Sequence, residues 1–104
     1  MNIAKLMKQA QQMQAKVQAA QEELSQKTVE SSVGGGKVTV VATAAGDVLS
    51  IKIDPAVVDP GDVELLQDLV LSGVRQAIEE GRQLAAAEMG KVTGGMGLPP
   101  GMGF

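Results

Sequence analysis

Lys5, Lys8 and Lys16, with Gln9 and Gln12 between them, are the side chains best placed to act on a ligand. Residues 1 to 20 contain no acid, so this segment carries +3. Lysine offers a compact ammonium charge on a flexible stem. Glutamine adds a neutral donor-acceptor head that can lie against phosphate without repelling it. On a helical wheel Lys16 falls about 20° from Lys5, and Lys8 about 60° to the other side. The three lysines therefore form one stripe suited to a polyanion. Composition alone would read such a stripe as ordinary solubilising surface.

Other chemistry is poorly provided for. The 104 residues include no His, Cys, Trp or Tyr, and the sole aromatic is Phe104. Acid–base catalysis would fall to carboxylates or lysines with shifted pKa values, and no carboxylate pair in a pocket is indicated. No enzyme activity, cofactor or small-molecule substrate is expected. Without His or Cys a transition-metal site is not expected, and without rings base stacking has no platform. Asp59, Asp62, Glu64 and Asp68 do not match a calcium-loop spacing. Gly34-Gly35-Gly36 lacks the Lys-Ser/Thr and helix start of a phosphate loop. No run approaches the roughly 20 apolar residues of a membrane span, and the polar N-terminus is no secretory signal. These features predict a soluble, cytoplasmic protein.

The net charge of −3 and pI near 4.8 conceal a polarised chain. Residues 47 to 68 carry six acids against Lys52 alone, a segment charge of −5. Overall charge therefore does not exclude an anionic partner.

The elements that must position these residues follow from periodicity. From Ile3 to about Lys27, Leu6, Ala10, Met13, Val17, Ala20 and Leu24 are spaced alternately by four and three, a heptad seam. Three heptads are marginal alone in water, so the seam needs a partner. Val29–Val33, the three glycines, and residues 37 to 44 predict two strands and a turn. Ala45-Gly46-Asp47 predicts a second turn. Val48–Asp54 places Leu49, Ile51 and Ile53 on one strand face, opposite Ser50 and Lys52. The result is a three-stranded antiparallel meander. Asp59 as N-cap and Pro60 at the first helical position predict a second helix, its early acids suited to the helix dipole. That helix should run to Glu88 or Met89, with Val63, Leu66, Val70, Val74, Ala77 and Leu84 on its apolar side.

Gly73, Ala77, Gly81 and Ala85 recur every four residues along that helix. Two readings are open: close packing on the sheet, or a subunit interface. Residues 1 to 89 are read as one α+β domain, and the Gly/Pro-rich stretch from 90 to 104 as a flexible tail.

LMKQAQQMQ at 6 to 14, KVTV at 37 to 40, IDP at 53 to 55, ELLQDLV at 64 to 70 and LPPGM at 98 to 102 occur in that order. Together they resemble the YbaB/EbfC family of bacterial nucleoid-associated proteins. The resemblance covers essentially the whole chain. It implies a helix, three strands and a helix, and a homodimer with joined sheets and projecting helices. It also implies double-stranded DNA as partner and no enzymatic role. Carried over by position, Lys5, Lys8 and Lys16 on the first helix are DNA-binding candidates, and Gln9 and Gln12 between them would offer hydrogen bonds to phosphate or base edges. Arg75, Arg82 and Lys91 on the second helix form a further set. The alternative is a protein-interaction module that docks a recombination or replication partner through the heptad face and the hydrophobic tail.

Overall fold

Asn2 begins the first element: its Oδ1 accepts the backbone N–H of Lys5 at 3.1 Å and caps α1, Ile3–Leu24. A computed structural model describes residues 2 to 95, and side chains through Lys91. Three strands follow, β1 (Thr28–Val33), β2 (Val38–Thr43) and β3 (Val48–Ile53), then α2 (Val63–Gly95). The strands form an antiparallel sheet in the order β1-β2-β3. This is the α+β architecture expected from the periodicity.

The turns explain the glycines. Gly34, Gly35 and Gly36 all have positive φ, which side-chain-bearing residues rarely adopt. Between β2 and β3, Gly46 is also left-handed, and Asp47 N–H donates to Thr43 Oγ1 at 3.1 Å.

Three acids between β3 and α2 serve the backbone. Asp54 Oδ1 accepts the N–H of Ala56 at 2.9 Å and opens a single 3-10 turn, Pro55–Val57. Asp59 Oδ1 accepts the N–H of Gly61 at 2.9 Å, and Asp62 Oδ1 that of Leu65 at 3.3 Å. Asp62, not Asp59, therefore caps α2, because Asp59 is spent on the preceding turn. The helix also continues past Met89 and is described through Gly95. Gly90 does not stop it, since a lone glycine costs only about 1 kcal/mol in a helix. The hydrophobic positions Met96, Leu98, Met102 and Phe104 lie outside the described residues.

The core is where α2 crosses β1 and β2. Val38, Val40, Ala42 and Ala77 are fully buried, with Val29, Val33, Leu69, Val70 and Val74 packed around them. Each buried Val contributes about 1.5–3 kcal/mol. The small-residue stripe makes this approach possible. A Cβ on Gly73 would lie 3.0 Å from Val40 Cγ2, and one on Gly81 only 2.7 Å from the Thr43 carbonyl oxygen. Of the two readings of the stripe, Gly73, Ala77 and Gly81 thus follow the first, packing on their own sheet.

β3 departs from the simple alternation. Val48 pairs with Ala42 and Ser50 with Val41, so Leu49 is the extra residue of a bulge. Every residue of β3 is exposed, because α2 lies over the other two strands.

Candidate nucleic-acid interface

α1 is a rod of about 33 Å at 1.5 Å per residue. Its seam is graded: Leu24 is buried, Ala20, Val17 and Met13 are half-buried, and Ala10 and Leu6 are exposed. The C-terminal half of α1 is thus packed, with α2 among its contacts, while its beginning stands free of the body. At that end Ile3, Leu6 and Met7 are 68%, 51% and 59% exposed. The described chain is correspondingly long, 72 × 24 × 16 Å.

Lys5, Lys8, Gln9, Gln12 and Lys16 are all exposed on this rod. Among the described residues, Lys5 and Lys8 take part in no ion pair. The first acids on α1 are Glu22 and Glu23. Its first four turns therefore hold cations and amides and no carboxylate.

The candidates on α2 are placed differently. Arg75 borders a shallow depression that also holds Asp68, Glu79 and Glu80. Arg82 Nη1 lies 3.4 Å from Glu79 Oε2, and Lys91 Nζ 3.5 Å from Glu88 Oε1. Each of these two cations is matched by an acid three residues earlier. The structure thus separates the eight sequence candidates into an α1 group without acids and an α2 group interleaved with them.

Sequence reasoning missed Lys27 and Glu88. Lys27 Nζ lies 3.0 Å from Glu88 Oε1 and ties the base of α1 to α2. The Glu88 carboxyl is held below its ordinary range, first by the Lys27 hydrogen bond and then by the charges of Lys27 and Lys91. Lys27 had a sequence signal, its spacing of eleven from Lys16. Its carboxylate partner lies 61 residues away and had none. The acidic start of α2 is remote from this tie: Asp62 and Glu88 are separated by about 39 Å of helix axis.

Residues 1–96 match the model of the YbaB/EbfC DNA-binding family. The chain belongs to that family. A nucleoid-associated protein of Akkermansia muciniphila is 54% identical over 104 residues, the whole of both chains. Another, from Acetivibrio thermocellus, is also 54% identical, over 97% of this chain and 89% of its own. The uncharacterized protein HP0035 of Helicobacter pylori has a similar crystal structure, with TM-score 0.69 and 21% identity. That alignment covers 92% of this chain and 97% of the other, and bears on the fold alone. DNA binding is thus the family's described activity. No helix among the described residues is long and apolar enough to cross a membrane.

Proposed function

We propose that this protein binds double-stranded DNA of the bacterial nucleoid as a homodimer, mainly through phosphates and with little sequence preference. The observation that carries the reading is the α1 rod, whose exposed Lys5, Lys8 and Lys16 share a stripe along its first four turns, ahead of the first acids of the helix at Glu22 and Glu23. Lysines on phosphates fix position without reading sequence. Gln9 and Gln12 add hydrogen bonds to phosphate or base edges. Arg75, Arg82 and Lys91 are secondary contacts, weakened by the acids around them.

Dimerisation is supported by what β3 leaves uncovered. Leu49, Ile51 and Ile53 are exposed on an edge strand, and Ile53 faces Leu66, Val70, Leu71 and Val74 across an open apolar groove. Edge strands with exposed apolar side chains invite pairing. A second copy would cover this face and double the lysines of the stripe from three to six.

Six neutralised phosphates give a salt slope of about −5, an affinity loss of about a thousandfold between 50 and 200 mM salt. Duplex binding of the K5Q/K8Q/K16Q variant across a salt series tests the stripe. The expected result is a slope flatter by about 5; an unchanged slope removes these residues from the interface. Solution mass of I51D/I53D, measured beside wild type, tests the dimer, with a monomer expected for the variant alone.

The exposed apolar start of α1 gives one specific support to a second reading, a protein-docking module. Retained duplex binding by an L6Q/M7Q variant that has lost a protein partner would favour that reading for the helix tip.

A further inference from the structure

The lysine stripe does not end at Lys16. Beyond Leu24 the helix tightens as it ends: Ser25 N–H donates to the Gln21 carbonyl, Gln26 N–H to that of Glu23, and Lys27 N–H to those of Glu23 and Leu24. Lys27 thus follows the last turn of the rod, one residue before β1. Lys5, Lys16 and Lys27 are eleven residues apart. Lys16 lies about 20° from Lys5 on the wheel, Glu23 falls on the same line, and the rod carries Lys27 about 33 Å from Lys5, comparable to one turn of duplex at about 34 Å.

At the base of this line the ammonium of Lys27 already has an anion. Glu88 Oε1 is 3.0 Å away, and its side chain is only 21% exposed. Lys91 approaches the same oxygen from α2 at 3.5 Å. The carboxylate is thus held from both helices where a phosphate would otherwise sit.

We propose that Lys27 is a further DNA-phosphate contact and that Glu88 is an internal competitor for it, limiting affinity by occupying the base of the stripe. This inference rests on the DNA-binding reading above. A phosphate that reaches Lys27 must displace the Glu88 carboxylate or lie beside it, and either lowers the gain from that contact. Glu88 therefore tempers binding without touching the exposed part of the stripe. It also explains how a chain with few cations can reserve one of them.

The test is duplex binding of E88Q across a salt series, with E64Q as a control of equal charge change. E88Q should bind more tightly at low salt and steepen the slope by about 0.9 per chain, the value for one added phosphate contact. K27Q/E88Q should lose that gain, and E64Q should leave the slope as in wild type. Equal steepening in E64Q would reduce the effect to net charge and overturn the proposal, as would an unchanged slope in E88Q. Should E88Q lose helix content, the wild-type chain still decides. With lysines labelled by reductive 13C-methylation, which keeps their charge, the Lys27 signal should move at saturating duplex and low salt. A stationary Lys27 signal overturns the proposal. Failure of wild type to bind any duplex would instead refute the DNA reading itself.

Discussion

The two helices carry similar numbers of cations and use them in opposite ways. α1 places Lys5, Lys8 and Lys16 ahead of its first acids, Glu22 and Glu23, and has one buried residue, Leu24, among its 22. α2 interleaves Arg75, Arg82 and Lys91 with Glu79, Glu80 and Glu88, and presses Gly73, Ala77 and Gly81 onto the sheet. One helix holds the core together and has a mixed-charge outer surface. The other contributes little to the core and leaves most of its surface exposed. A cation count therefore says less than which element bears the cations and what stands three residues away.

The contrast breaks most sharply at the glycines of α2. G81V should unfold the protein or cost about 3 kcal/mol or more in urea denaturation, because backbone cannot yield as a side chain can. G90A should instead stabilise by up to about 1 kcal/mol, since a Cβ there meets nothing within 4 Å. A tolerated G81V would mean that α2 is not seated on the sheet as described.

A smaller effect compares the two cation sets directly. The R82Q/K91Q variant should flatten the salt slope of duplex binding by less than about one per chain, against nearly three for the α1 triple variant. Equal losses would make the two helices joint partners in the interface.

The smallest effect concerns pH. Lys27 holds the Glu88 carboxyl below its ordinary range, and the Ala56 N–H and then Lys37 do the same for Asp54. A carboxyl depressed in the folded state contributes fully above its unfolded value of about 4. The contribution fades as pH falls through the lower folded value. Stability should therefore be insensitive to these groups near neutrality and decline on acidification below about pH 4. The E88Q protein should show a shallower decline in acid denaturation; an identical profile would mean that the Lys27 tie does not contribute to stability.

Much of this was legible in the residues. The heptad spacing gave α1, the turn glycines gave the hairpins, and the four-residue recurrence of small residues flagged close packing. The start of α2 was misplaced because Asp59 and Asp62 are both good caps, and only the turn through Gly61 shows which one is engaged. The bulge at Leu49 was hidden because alternation within one strand does not report the register of its neighbour. The Lys27–Glu88 tie was hidden for a similar reason: sequence distance carries no information about which ends of two helices meet.

By itself the sequence determined the element types and the asymmetry of charge, since both depend on neighbours within a few residues. Only the tertiary structure decided which face of α2 meets the sheet, which cations stand apart from acids, and that β3 is left uncovered. Those outcomes depend on how far α2 can cross a three-stranded sheet, and that distance is set by close packing between segments far apart in the chain.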